Sequence, residues 1–354
     1  MRLHLTNITG LGASELLQSL LPAIERLTDA KIKHIYLPDK GNLKNYRSVT
    51  ELTKVSIYRR FLPNILSRLF ECTYLSKKFD DFEPILVFGD IPLRVKCPQT
   101  VFVQQYHLIE PKKFNFKLYY FKFILIRLIF KLNLSRANSF IVQSDIMKKE
   151  LEASYPSIKG KVHVVGQPVP IWLSTSRIKR VGRINNRTDL KLIYPSAGYP
   201  HKNHNLLSRI NLSDNYPVNE LIFTIKNNLN PVPHISWVKC IGYISPRELI
   251  KKYLYVDALV FLSKEESYGF PLVEAMYIGL PIICPNLPYA RFLCGDEAIY
   301  FDPDCIDSLM IAIKKLKKRL DDGWWPSWKN NIKKIPNNWD YVAKSMVEIT
   351  RNSI

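Results

Sequence analysis

Apolar residues in this chain gather into short runs, some continuous and some broken by one or two polar residues, separated by longer stretches in which they recur every three or four positions. The runs are Ile32 to Leu37, Ile85 to Phe88, Val101 to Val103, Phe140 to Val142, Val162 to Val165, Leu190 to Tyr194, Leu221 to Ile225, Val238 to Ile241, Ala258 to Leu262, Pro281 to Cys284 and Ala298 to Pro303. Short continuous apolar runs are what strands buried on both faces require, and the periodic stretches between several of them read as covering helices. This βα alternation predicts an α/β chain with parallel sheets, in which ligands gather beyond the carboxyl ends of the strands. The opening follows the same plan: the alternating Arg2 to Thr6, a turn holding Gly10 and Gly12, and helical spacing over Glu15 to Leu27. Asp145 to Tyr155, a capped helix starting at Ser245-Pro246, Asp307 to Leu320 and Asn338 to Thr350 also read as helical.

The stretch most suited to a ligand is Ala258 to Pro285, where an apolar strand enters a polar turn and passes directly into a helix. Gly269 frees the backbone just before the helix, and Pro271 suits its first turn, so the amides of Tyr268 and Gly269 can converge on an anion with help from the helix dipole. Glu266 in the loop and Glu274, expected in the first helical turn, frame this site. Two readings of the pair are open: solvated acids complementing the dipole, or a sugar contact by Glu266 and a ribose contact by Glu274 through paired hydroxyls. The other strand ends carry further candidates: Gly89-Asp90, read as a turn or an acceptor contact; Gln104-Gln105-Tyr106-His107; and Lys202-Asn203 after Leu190 to Tyr194. Lone histidines and lysines in such places are either structural and solvated, or ligand contacts. His201 and His204 lack the accompanying arrangement of a zinc site.

In order, Glu266-Ser267-Tyr268-Gly269-Phe270-Pro271-Leu272-Val273-Glu274-Ala275-Met276 and the exit Gly279-Leu280-Pro281 resemble the signature of the family 4 retaining glycosyltransferases. The resemblance implies a GT-B fold, two facing Rossmann-like domains with parallel sheets and a deep interdomain cleft that closes on substrate. It implies that Glu274 binds the nucleotide ribose, that Glu266 contacts the donor sugar, and that amides of Ser267, Tyr268, Gly269 and Phe270 hold the diphosphate. Lys202-Asn203 is similar to the family's diphosphate clamp, although Gly198 and Tyr199 stand where arginine is frequent. Gly242 and Tyr243 are similar to the backbone that flanks the base, Gly12 to the first glycine loop, and His107 to the histidine beside the donor sugar.

Composition changes this picture in one respect. A formal net charge of +20 over 354 residues predicts attraction to a polyanion, whether nucleic acid, anionic lipid or phosphorylated substrate. The most unusual segment, Pro111 to Arg136, holds seven Lys or Arg, no Asp or Glu, and many aromatic and aliphatic residues. On a helix Lys113, Lys117, Arg127 and Lys131 share a narrow arc. That segment is either a core helix with a solvated basic edge or an amphipathic surface resting on an anionic inner-leaflet membrane surface, the reading favoured by the charge of the whole chain. Six scattered cysteines without a Cys-x-x-Cys spacing argue against a metal site and a disulfide framework. Neither a signal peptide nor a transmembrane run is legible, so a cytoplasmic, peripheral location is expected.

The resulting expectation is a metal-independent retaining hexosyltransferase without a cofactor, moving sugar from a nucleotide-diphosphate donor to a lipid-linked saccharide acceptor of bacterial surface polysaccharide. The chain is divided as 1–170, an N-terminal Rossmann-like domain; 171–189, a linker; 190–335, a nucleotide-sugar-binding Rossmann-like domain; and 336–354, a helix returning to the first domain. The alternatives are a nucleotide-sugar epimerase of GT-B form and a non-catalytic basic protein binding membrane or nucleic acid. No nucleic-acid motif is present, so no nucleic-acid partner is expected.

Overall fold

A computed structural model describes residues 1–60, 62, 64–109, 118–183, 188–211 and 215–353. The chain forms two compact units, Met1–Pro168 with Pro336–Ile354, and Val169–Ile335.

The first unit is built on seven parallel strands: β1 (Arg2–His4), β2 (His34–Pro38), β3 (Lys54–Tyr58), β4 (Ile85–Val87), β5 (Gln99–Phe102), β6 (Ser139–Val142) and β7 (Val162–Val164). Their order is β3-β2-β1-β4-β5-β6-β7, so the chain reverses its direction of travel across the sheet between β1 and β4. Leu3 sits opposite both Ile35 and Leu86 in the central register. Helices α1 (Leu11–Arg26), α2 (Asn64–Cys72), α3 (Leu118–Asn133) and α4 (Asp145–Ser154) connect the strands. Cys72 and Phe79 from the α2 side and Ile129 and Phe130 from α3 enter one core with Ile85, Val101 and Phe140. Ser144 caps α4 by accepting from the Met147 amide, as its sequence position leads one to expect.

The second unit is a six-stranded parallel sheet of β8 (Leu190–Tyr194), β9 (Val218–Phe223), β10 (Val238–Cys240), β11 (Ala258–Val260), β12 (Ile282–Pro285) and β13 (Ile299–Phe301), in the order β10-β9-β8-β11-β12-β13. Its helices are α5 (Ile171–Ser174), α6 (Pro246–Tyr255), α7 (Phe270–Ile278), α8 (Pro288–Cys294), α9 (Ile306–Asp321) and α10 (Lys329–Ile332). Leu259, Val260, Phe261, Ile282 and Ile283 are fully buried, which accounts for their unbroken apolar runs. The 171–189 segment carries α5 and the buried Arg180, whose amide donates to the Ile278 carbonyl at 2.6 Å. A last helix, α11 (Trp339–Asn352), packs against α1 in the first unit, with Arg26 2.7 Å from Asp340.

The strand absent from the sequence expectation is β3. Its residues are largely half-exposed at the edge of the sheet, so Lys54-Val55-Ser56-Ile57-Tyr58 alternates where a buried strand would run continuously.

Candidate functional site

In a doubly wound parallel sheet the ligand crevice lies beyond the carboxyl ends of the strands, where the connections diverge to opposite sides. In the second unit that point lies between β8 and β11. The loops following these two neighbouring strands carry Lys202 and Glu266, which the structure joins by an ion pair with both side chains largely withdrawn from solvent.

The pairing follows from how the loops are fastened. The Lys264 amide donates to the His201 carbonyl at 2.8 Å, and the Ser263 hydroxyl donates to the same oxygen at 3.3 Å. Buried Tyr194 donates to the Lys202 carbonyl at 3.0 Å, and Tyr289 donates to the Ser263 carbonyl. Asn203 turns the chain in the left-handed region at φ 59° and donates through Nδ2 to the Pro303 carbonyl at 2.9 Å. Asn203 therefore shapes and anchors the loop that presents Lys202. Neighbouring His204 packs against Tyr194 and lies 2.8 Å from Ser196 Oγ; burial pushes its imidazole down to about 4 and keeps it neutral.

Gly269, with φ 95°, is the N-cap of α7, and no side chain caps the first turn. A helix start of this kind presents backbone amides and the positive end of the dipole to whatever lies before it. Tyr268 is buried and meets Phe270 edge-on at 5.3 Å between ring centres, while Ser267 is half-buried. At the other end Gly279 takes φ 94° and its amide donates to the Ala275 and Met276 carbonyls, the physical reason for the Gly-Leu-Pro exit.

Glu274 corrects one expectation. Because α7 starts at Phe270, this residue lies beyond the first turn and is 7% exposed, so it is no solvated helix-start acid. Its Oε2 accepts a 2.7 Å hydrogen bond from the hydroxyl of Tyr253 on α6, a fully buried side chain. The sequence reading missed Tyr253. The apolar spacing of α6 marks an inward position, yet nothing along the chain names Glu274 as the partner. Nearby burial together with the Glu274 carboxylate raises the Tyr253 phenol well above its ordinary range, which keeps it a donor.

Gly242 stands at φ 77° after β10, with its amide held by the Ile225 carbonyl at 2.8 Å, and Tyr243 beside it is exposed. Since β9 separates β10 from β8, these residues approach the β8–β11 point from the flank. A side chain at position 198 would meet Leu229 Cδ1 at 2.6 Å, so the place where arginine is frequent is closed here unless Leu229 moves. Tyr199 stacks on His201 at 5.7 Å between ring centres.

The first unit holds the remaining candidates. Gly12 lies in the first turn of α1 with open space where a Cβ would stand. His107 follows β5 in a single 3-10 turn, half-buried, with its ring 4.1 Å from that of Phe123. Its loop is stapled to the end of β4 by Asp90, which accepts from the amides of Gln104 at 2.6 Å and Gln105 at 3.0 Å and from Gln105 Nε2 at 2.9 Å. Burial pushes the Asp90 carboxyl up to about 6, with those three donors and Arg68 opposing it. Asp90 thus positions the His107 loop. Arg127 points its guanidinium toward the carbonyls of His107 at 3.3 Å and Ile109 at 3.5 Å, whereas Lys131 is exposed. Lys113 and Lys117 lie outside the described residues.

Beyond the ends of β1 and β4, fully buried Glu71 receives the Thr6 hydroxyl and lies 3.1 Å from His4 Nε2 and 3.6 Å from both Arg60 and Arg68. Burial pushes its carboxyl up, but His4, Arg68 and Thr6 together hold it down at about 2.

Residues 235–322 match the family model of glycosyl transferases group 1, a span that includes α6, Tyr253, both glutamates and α7. The O-antigen chain mannosyltransferase B of Escherichia coli is 31% identical over 89 residues, covering 25% of this chain and 23% of that protein. The O-antigen chain mannosyltransferase RfbU of Salmonella typhimurium is 24% identical over 210 residues, covering 57% of this chain and 56% of its own. The aligned part is thus less than two thirds of the length of either relative. Among solved structures, WaaG, a glycosyltransferase involved in lipopolysaccharide biosynthesis, superposes with a TM-score of 0.68 at 12% identity, over 98% of this chain and 99% of that one. With both sheets parallel, their order doubly wound and this likeness spanning the chain, the fold is GT-B, and over residues 235–322 the chain is similar to the group 1 glycosyl transferases.

Proposed function

We propose that the chain is a retaining glycosyltransferase that moves a hexose-type sugar from a nucleotide-diphosphate donor to a lipid-linked saccharide in bacterial surface polysaccharide synthesis. The observation that carries this reading is the pairing of Lys202 with Glu266 at the β8–β11 point, beside the uncapped start of α7 and the withdrawn Glu274. A cation and helix-start amides suit a diphosphate, and a carboxylate whose second oxygen is already fixed by Tyr253 suits the paired hydroxyls of a ribose. The O-antigen names of the two bacterial relatives support the acceptor class and a hexose donor.

In this mechanism Lys202 exchanges Glu266 for the donor diphosphate, and with the amides of Ser267, Tyr268, Gly269 and Phe270 it offsets the charge that grows as the nucleotide departs. Glu274 holds the ribose and Tyr243 flanks the base. Glu266, released from Lys202, contacts the donor sugar, and His107 carries the donor-positioning role that the family resemblance implies for it. The bond between the anomeric carbon and the diphosphate oxygen breaks, the acceptor oxygen bonds to that carbon on the face that the leaving group vacates, and the acceptor's proton passes to the departing phosphate, which retains configuration.

A thermal-shift panel of UDP, GDP, dTDP and CDP tests the reading. One of them at about 100 times its Kd stabilises the second unit by about 2.7 kcal/mol, and the stabilisation shrinks in Lys202→Ala and Glu274→Ala. Absence of a response to all four overturns the proposal.

A further inference from the structure

The two helices α2 and α3 lie side by side in the first unit, with Asn133 at the end of α3 donating to the Cys72 carbonyl at the end of α2 at 3.3 Å. Each buries one face in a shared core, through Cys72 on α2 and Ile129 and Phe130 on α3. The opposite faces carry large apolar side chains. On α2 and the turn that follows, Leu66, Phe70 and Tyr74 are 47%, 42% and 73% exposed; on α3, Ile124, Leu128 and Leu132 are 45%, 51% and 61% exposed. Ile124, Leu128 and Leu132 are spaced by four residues and form a single stripe along α3, and Leu66 and Phe70 share one face of α2, with Tyr74 following in the turn. Five large apolar groups on two adjacent helices, with Tyr74 in the turn that follows α2, make a patch of the kind that soluble surfaces rarely present.

The charge around the patch identifies what covers it. Lys131 lies on the α3 stripe itself, between Leu128 and Leu132, and is exposed. Lys77 and Lys78 follow the α2 stripe and Arg136 follows α3, all exposed. Residues 118–136 contain no Asp or Glu, and the one carboxylate on α2, Glu71, is fully buried among cations. An apolar face bordered by exposed lysines and arginines, with its acid turned inward, complements lipid tails beneath anionic headgroups. No helix among the described residues is long and apolar enough to cross a membrane, so the contact is one of lying on the surface.

We propose that the joint α2–α3 face docks on an anionic lipid bilayer, with Leu66, Phe70, Tyr74, Ile124, Leu128 and Leu132 entering the interface and Lys131 meeting headgroups. This rests on the lipid-linked acceptor of the proposed function and names the surface through which the enzyme reaches it. It also moves the docking surface away from Arg127, which is turned toward its own loop, and adds α2, which composition did not single out.

The test is flotation of the full chain with vesicles of pure phosphatidylcholine and of phosphatidylcholine with one third phosphatidylglycerol, at low and high salt. The variants are Phe70→Ser/Leu128→Ser and Lys77→Glu/Lys78→Glu/Lys131→Glu, checked for unchanged circular dichroism and melting. Binding to the anionic vesicles that weakens with salt, falls at least about tenfold in the apolar pair and falls by about fivefold or more per reversed lysine supports the proposal. Failure of the wild type to float, or equal flotation of folded variants, overturns it. So does a wild-type dimer in solution that the Phe70→Ser/Leu128→Ser variant dissociates, because a second copy then covers the face. Nucleotide stabilisation and sugar transfer to a water-soluble acceptor are measured on the same proteins. If these persist while flotation fails, the docking surface alone is lost and the proposed function stands.

Discussion

Replacing Tyr253 by Phe removes one oxygen from the second unit and nothing else, so it isolates the bond that fixes Glu274. The hydroxyl lies 2.7 Å from Glu274 Oε2, on a fully buried ring, and the carboxylate it serves is 7% exposed. A hydrogen bond to a charged group is worth about 1.5–3 kcal/mol, and its loss is felt fully where water cannot take the vacated place. Ring packing is conserved, so no cavity term is added. Taking about 2 kcal/mol, the melting temperature of a unit of this size falls by about 4–8 °C. The larger consequence is functional: a carboxylate no longer held by its second oxygen adopts several orientations, and the affinity for the best nucleoside diphosphate falls roughly tenfold, or about 1.4 kcal/mol. Calorimetric titration of that nucleotide, alongside scanning calorimetry, reads both effects. Tyr255→Phe on the same helix serves as the control, since its hydroxyl meets Lys191 away from the site. Wild-type nucleotide affinity in a Tyr253→Phe protein with lowered stability would refute the reasoning, because Tyr253 would then serve the core alone.

Glu266→Gln releases Lys202 from its ion pair; nucleoside diphosphate then binds more tightly by about tenfold, the scale of one charge-assisted bond, while sugar transfer falls, and weaker binding in calorimetry would contradict the exchange. At Gly279 an added Cβ runs into the Arg180 carbonyl at a φ of 94°, so Gly279→Ala costs more than about 4 kcal/mol and denaturant titration finds the second unit severely destabilised; a normal midpoint would disprove the close approach. For Glu71, held at about 2 against an ordinary 4.5, the ionised form is favoured in the folded state. Its contribution of about 3 kcal/mol is therefore present above pH 4.5 and is lost as pH falls toward 2. Glu71→Gln abolishes that acid limb and destabilises the first unit at neutral pH, and identical acid-unfolding profiles for the two proteins would rule this out. Finally, Asp90→Ala frees the loop that carries His107 and raises the KM for donor more than it changes folding; transfer kinetics unchanged from wild type would count against a positioning role.

Much of the architecture is legible along the chain. Strands such as Ala258–Val260 announce themselves because burial on both faces of a parallel sheet demands uninterrupted apolar residues. Edge strand β3 escapes that rule for the same reason, being buried on neither face. The α7 segment is legible in detail: Gly269 and Gly279 both occupy the left-handed region that glycine alone enters freely, and they bracket a helix whose apolar residues leave Glu274 as the anomaly.

What the order of residues determined by itself is everything that depends on near neighbours: the strand and helix periods, the glycine and proline positions, and the glutamate pair that carries the likeness to group 1 glycosyl transferases. Tertiary structure alone decided which distant groups meet. Lys202 finds Glu266 because β8 and β11 are adjacent in a sheet whose order reverses there, Tyr253 finds Glu274 across two helices, and α2 comes to lie beside α3. These contacts depend on strand order and helix packing, which bring together residues many positions apart, and local periodicity carries no record of which partner will be across the gap.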